Sequence, residues 1–110
     1  MFIRCAFFKG QVVRGQERAF TDYVRDHLVP LWTKFPGAQE VRVLRQVECD
    51  VSDPHFEMVL AIQYPSREAI ERALASEVRA QSREVTQGLL PMFDGQIFHT
   101  VFAAEQFPVG

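Results

Sequence analysis

Apolar side chains recur along this chain at two different spacings, which predict strands and helices in alternation. Residues 2–8 form a nearly continuous apolar run that only Arg4 interrupts, as is typical of a strand covered on both faces. Apolar and polar side chains alternate over residues 41–47 and again, more clearly, over residues 56–64. Residues 97–104 are again mostly apolar, so the pattern predicts four strands.

A segment with helical periodicity connects the first two predicted strands. Apolar side chains recur there at steps of three and four residues and form one stripe. Pro30 lacks a backbone donor and is expected to kink this helix, and Pro36 and Gly37 end it. The residues of the stripe are Phe20, Tyr23, Val24, His27, Leu28, Leu31, Trp32 and Phe35.

A second helical region separates the third and fourth strands. Ser66 is a good N-cap residue for it, and Glu68 complements the helix dipole in the first turn. Ser76 interrupts the apolar spacing briefly before the helical pattern continues to Met92. Asp94 and Gly95 then predict a turn before the last strand.

The element order β-α-β-β-α-β predicts one α+β domain over residues 1–110. Right-handed crossovers place four antiparallel strands in one ferredoxin-like sheet with both helices on one face. The first and last strands are too apolar on both sides for the opposite face to meet water. A homodimer whose two sheets pack face to face covers that surface most simply.

Charge and composition narrow the possible partners. The formal net charge is −2, and no block of Lys and Arg is present, which speaks against duplex nucleic acid. No apolar run approaches the roughly 18 residues of a membrane span. The apolar N-terminus lacks the flanks of a signal peptide, so Cys5 and Cys49 are interpreted as reduced thiols in a cytoplasmic protein.

Two histidines are candidates for acid–base chemistry. His27 lies in the apolar stripe of the first helix, so we expect its ring to face the sheet, where an imidazole can transfer protons near neutral pH. The alternative is a core histidine that donates to a carbonyl, such as one freed by Pro30. His99 lies in the last strand and either lines a pocket beside His27 or packs in the dimer interface. No metal is expected to bind at these residues.

Aromatic and charged side chains within the predicted elements suggest a ligand site. Ten phenylalanines are more than a small core obviously needs, which indicates an interface or an aromatic pocket. Tyr23, Trp32 and Tyr64 offer rings that stack on or hydrogen-bond a planar ligand, although each such residue taken singly is more often a core residue. Arg4 and Glu57 lie inside strands, where a charge needs a partner, so we expect an ion pair across the sheet or the dimer.

The first helix also carries a family signature. Its residues read Y-x-R-x-H-x-x-P-L-x-x-K-x-P-G from Tyr23 to Gly37, and an aromatic strand closes the chain. In this the sequence resembles the dimeric α+β barrel superfamily and, within it, the EthD-like proteins. EthD-like members tend to place the proline two positions after the histidine, whereas Pro30 stands three positions after His27.

The resemblance implies a homodimer with one pocket in each subunit, between helices and sheet. It implies a cofactor-independent protein that binds an aromatic or polyketide-like molecule, with His27 and His99 as catalytic candidates and Phe102 of the closing strand as part of the aromatic wall. A non-catalytic protein that sequesters a metabolite is one alternative. Haem binding or degradation, with His27 as axial ligand, is another. The sequence contains no phosphate-binding loop, zinc motif or nucleophile elbow.

Overall fold

Four antiparallel strands form a single sheet in the computed structural model, which describes all of residues 1–110. The strands are β1 (Phe2–Val12), β2 (Glu40–Leu44), β3 (Phe56–Tyr64) and β4 (Phe93–Ala103). Their order across the sheet is β2-β3-β1-β4. This is the strand order of a ferredoxin-like fold, so the predicted α+β class and the βαββαβ order are confirmed.

The strand register divides the side chains between two faces. Ala6 of β1 lies opposite Leu60 of β3 and His99 of β4, and alternate residues of β1, of β4 and of residues 58–64 in β3 share its face. The pairing of β1 with β3 shifts by one residue before Met58, which puts Phe56 on the other face. The helices cover this face, and their buried side chains form one core with Phe8, Met58 and other residues of the same parity. We call it the helix-facing side, and the opposite surface the open face.

The first helical region is interrupted next to Pro30. It consists of α1 (Glu17–Tyr23), a π-helical turn (Val24–Leu28) and α2 (Val29–Trp32). The Val29 N–H donates to the Val24 carbonyl, five residues back, so the extra residue of the turn is accommodated immediately before the proline. The kink expected at Pro30 therefore takes the form of a π-turn.

The second helical region consists of α3 (Arg67–Leu74) and α4 (Glu77–Thr86). The Ser66 Oγ accepts a hydrogen bond from the Ala69 N–H at 3.1 Å, which confirms the predicted cap. Ser76 ends the first helix and begins the second: its Oγ donates to the Ala73 carbonyl and accepts from the Arg79 N–H at 3.3 Å. The interruption predicted at Ser76 is thereby confirmed, and it sets the direction of α4.

The antiparallel pairing of β1 with β4 is longer than predicted. The apolar run predicted a first strand over residues 2–8, whereas β1 continues to Val12. The expected turn at Asp94 and Gly95 is wrong, because both residues lie in β4. Gly10 stands directly opposite Gly95. A Cβ on either glycine would collide with the backbone of the other strand, so the two glycines permit the strands to pair here. β2 is shorter than predicted and ends at Leu44.

The open face carries a cluster of phenylalanines around Phe7. The Phe7 ring stacks on Phe98 with a centroid distance of 5.2 Å and also contacts Phe56 and Phe102. None of these four rings belongs to the helix-side core. Phe102 is 46% exposed, so this chain leaves an apolar surface uncovered. None of the helices is long and apolar enough to span a membrane.

Replacing Ser76 tests the cap that positions α4. We expect Ser76→Ala to lower the free energy of unfolding by about 1 kcal/mol, because the first-turn N–H of Arg79 loses its acceptor. Chemical denaturation followed by circular dichroism measures the change. Ser52→Ala, at an exposed position in a loop, is the matched control and should leave the unfolding midpoint unchanged; equal effects of the two variants would contradict the capping role.

Candidate functional site

A cavity of about 370 Å³ lies between the helix-facing side of the sheet and the helices. Its floor is apolar and comes from three strands, and α4 forms one of its walls. Trp32 at the end of α2 and Phe35 just after it add aromatic rings. The floor residues are Ala6, Phe8, Leu60, Ile62 and Ile97. This combination of an apolar floor and aromatic sides is typical of small-molecule sites.

The wall contributed by α4 is polar. Arg79, Ser82, Arg83 and Thr86 follow one another at helical spacing, so all four lie on one side of the helix and line the cavity. The two hydroxyls bond to the helix itself: Ser82 Oγ donates to the Arg79 carbonyl at 2.8 Å, and Thr86 Oγ1 donates to the Ser82 carbonyl at 2.6 Å. The guanidinium groups, and the amide of Gln87 at the end of α4, are therefore the side-chain donors that this wall offers to a ligand.

A third guanidinium enters the cavity from the sheet. Arg4 lies on the helix-facing side of β1, and burial together with the charge of Arg79 lowers its pKa. The expected ion pair between Arg4 and Glu57 within the chain is wrong. The Glu57 carboxylate lies instead 3.5 Å from the His55 ring.

His99 lines the cavity beside these arginines. Its position in β4, opposite Ala6, puts the ring on the helix-facing side. Burial, and then the positive charges of Arg4, Arg79 and Arg83, lower the pKa of His99 to about 4. The imidazole is therefore neutral at pH 7, with one nitrogen as donor and the other as acceptor. Among the histidines only His55 has a side-chain hydrogen bond within the chain, so both nitrogens of His99 are free for a ligand.

The prediction that the His27 ring faces the sheet is wrong. The buried line of the first helical region runs through Phe20, Val24 and Leu28 at four-residue steps. His27 precedes Leu28 by one residue and therefore projects about 100° away from that line, where it is exposed. Its ring lies against that of Tyr23, with centroids 4.8 Å apart, and it does not line the cavity.

The four predicted aromatic ligand contacts occupy different places. Trp32 lines the cavity. Tyr23 does not: its hydroxyl donates to the Val85 carbonyl at 2.8 Å and ties the first helical region to α4. Tyr64 is a core residue with 1% exposure, and burial raises the pKa of its hydroxyl. Phe102 lies on the open face, against Phe7.

Sequence reasoning did not identify Arg79 and Arg83 as site residues. Arginines on an amphipathic helix normally face solvent, and both fit a polar stripe of α4. One signal could have indicated them: Arg79, Ser82, Arg83 and Thr86 form a continuous polar face next to small residues rather than alternating with acidic ones. No three His, Cys, Asp or Glu side chains gather closely enough to hold a metal ion.

Known structures share this fold. An EthD family protein from Bacillus halodurans C-125 superimposes with a TM-score of 0.79 at 16% identity, covering 96% of this chain and 99% of that one. A candidate antibiotic biosynthesis monooxygenase from Deinococcus radiodurans gives 0.67 at 14% identity, over 100% and 99% of the two chains. A protein of Arabidopsis thaliana gives 0.70 at 9% identity, over 99% and 100%.

These likenesses confirm the predicted ferredoxin-like α+β fold of the chain. No protein-family profile matches the chain, and no curated protein matches it in sequence. The structural class is therefore that of ferredoxin-like α+β proteins, the fold that the EthD family protein and the antibiotic biosynthesis monooxygenase share with this chain.

The low pKa of His99 makes stability depend on pH. The folded state holds this pKa at about 4, whereas the unfolded value is 6.5, so the unfolded chain binds the proton more readily between these values. Stability contributed by neutral His99 should therefore be lost as the pH falls from about 6.5 to about 4. We expect His99→Asn to lose less stability over this window in pH-dependent urea unfolding. An NMR titration midpoint of His99 near 6.5 would contradict the account.

Proposed function

We propose that this protein binds a small aromatic or polyketide-like molecule in the cavity between α2, α4 and the sheet, as an EthD-like protein. The observation that carries the proposal is the composition of the cavity: an apolar floor, the Trp32 and Phe35 rings at the side, and polar groups gathered in one region. Its volume of about 370 Å³ falls within the range of small-molecule sites, roughly 300–1,000 Å³.

We further propose that the protein is a cofactor-independent enzyme in which His99 transfers a proton. A neutral imidazole with both nitrogens free accepts a proton from a phenolic, enolic or activated C–H group and returns it later in the reaction. The neighbouring guanidinium groups would stabilise the negative oxygen that forms when the substrate loses its proton. His99 is favoured over His27 for this role because His99 lines the cavity and His27 does not.

The alternative is a non-catalytic protein that binds and sequesters a metabolite. It is favoured by the fact that the cavity contains one histidine rather than the expected pair. A lone imidazole can orient a ligand by hydrogen bonding without taking part in a reaction. Haem binding through His27 has no comparable support, since the cavity does not include that residue.

A ligand screen that follows the NMR signal of Trp32 tests binding and catalysis together. Trp32 is the single tryptophan of the chain and lines the cavity, so its indole N–H gives one NMR signal that reports occupancy. We expect aromatic compounds to shift this signal saturably, and mass spectrometry of the bound compounds then measures conversion. If no aromatic compound moves the Trp32 signal, the binding proposal is wrong.

Matched histidine variants separate the enzyme from the binder. We expect His99→Gln to retain binding and lose at least about tenfold in turnover, because general acid–base catalysis contributes at least this much. His27→Gln removes the same ring outside the cavity and should keep wild-type turnover. Conversion that survives in His99→Gln contradicts catalysis by His99, and binding without conversion by the wild-type protein favours sequestration.

We also propose that the open face is the interface of a homodimer. The phenylalanine cluster around Phe7 forms a connected apolar surface that this chain leaves uncovered. Surfaces of this kind mark association sites. A second copy offers the same cluster on a sheet of the same shape, so a two-fold axis brings apolar surface against apolar surface.

A charge placed in the cluster tests this interface. We expect Phe102→Glu to convert the protein from dimer to monomer, because a carboxylate cannot be buried there without a partner. Light scattering coupled to size exclusion measures the mass. Leu90→Glu changes an apolar residue of similar exposure, 38% against 46%, away from the open face and should leave the dimer intact. A wild-type protein that is monomeric at micromolar concentration would contradict the proposed interface.

A further inference from the structure

The cavity concentrates positive charge without a compensating carboxylate. Arg4, Arg79 and Arg83 all line it, and no Asp or Glu is among its fourteen lining residues. The four ion pairs of the chain involve other residues, so none of these three guanidinium groups is neutralised within the chain. Arg4 and Arg79 are partly buried and Arg83 is exposed, and all three border the same cavity.

The three guanidinium groups also have N–H donors without hydrogen-bond acceptors in the chain. Arg79 donates to the Leu74 carbonyl at 3.4 Å, which is a long contact. No buried side-chain nitrogen or oxygen in the chain lacks a partner, so the unpaired nitrogens of the half-buried Arg4 are open to the cavity. Their donors are available to a ligand that enters there.

Gathering these charges costs free energy that nothing in the chain recovers. Burial, and then the charge of its neighbour, lowers the pKa of both Arg4 and Arg79, with Arg79 acting on the first and Arg83 on the second. An anion placed between them would replace mutual repulsion by attraction and restore hydrogen bonds to the guanidinium groups. Carboxylates suit this position because the planar guanidinium binds them with two parallel hydrogen bonds.

The rest of the cavity lining indicates the chemistry of the other end of the ligand. The arginines of α4 are one helical turn apart and face the cavity together, with Arg4 approaching from β1. The remaining lining is mostly apolar and includes the Trp32 ring. A molecule that satisfies both regions carries an anionic group at one end and a flat apolar body at the other.

We propose that the cavity selects an aromatic or polyketide-like carboxylate, whose anionic group is bound by Arg4, Arg79 and Arg83 and whose ring system lies on the apolar floor beside Trp32. This inference rests on the binding function proposed above and specifies its ligand class. The anion also lies next to His99, where it offsets the charges of the three arginines and favours protonation of the imidazole.

The test compares hydroxynaphthoate with its neutral amide, hydroxynaphthamide, which has nearly the same shape. We expect calorimetry to give the acid at least about tenfold tighter binding than the amide, the least that charge-assisted hydrogen bonds to guanidinium groups contribute. Arg79→Gln and Arg83→Gln should each reduce this preference, and the double variant should lose most of it, because Arg4 is then the one guanidinium group left in the cavity. Arg18→Gln, at an exposed position of α1, is the matched control and should keep the full preference.

Two further readouts locate the anion. The Trp32 indole signal should shift with both compounds, whereas the NMR titration midpoint of His99 should rise with the acid and stay in place with the amide. The facing groups that set this midpoint are Arg4 from β1 and Arg79 and Arg83 from α4. Inorganic phosphate should bind more weakly than hydroxynaphthoate, because it gains nothing from the apolar floor.

Each outcome decides between the two proposals. Equal binding of acid and amide, with the Trp32 signal shifted by both, would overturn the carboxylate inference and leave the binding function intact. The same follows if the acid preference survives in the double variant, or if phosphate binds as tightly as the aromatic acid. If neither naphthalene compound nor any neutral aromatic shifts Trp32, both proposals are wrong. Because the acid–amide comparison uses the wild-type protein, it holds even if an arginine variant fails to fold.

Discussion

Strand alternation along β1 puts a permanent positive charge on the face of the sheet that the helices cover. Arg4 shares that face with Ala6 and Phe8, and a shift of one residue would exchange the core face for the open one. The helices therefore cannot close tightly over this part of the sheet without burying an unpaired guanidinium group. The cavity over β1 and β4 lies where that charge prevents a fully apolar core.

The two interrupted helical regions shape the walls of this cavity. The π-turn before Pro30 allows α2 to follow α1 and to bring Trp32 to the cavity. The serine cap at Ser76 ends α3 and lets α4 begin in a new direction, with its arginine face turned inward. Tyr23 holds the two regions together through the Val85 carbonyl. Local breaks in the helices thus determine which side chains line the cavity.

The sequence predicted the fold well and the site only in part. Alternation placed β3 at residues 56–64, and the cap at Ser66 and the helix interruption at Ser76 were recognisable, because these signals are local. The orientation of His27 was not predictable from its stripe, which is wide enough to include both buried and exposed positions. Arg79 and Arg83 were missed. Their spacing shows that they share one face of a helix, but it does not show that this face turns inward.

The central claim is that three arginines without acidic partners form the anion-binding end of an aromatic ligand site. A crystal structure of the protein with hydroxynaphthoate tests it most directly. The account predicts a carboxylate within hydrogen-bonding distance of Arg79 and Arg83, with the rings beside Trp32. An acidic side chain of a second subunit paired with Arg4, or a ligand bound only on the open face, would contradict it.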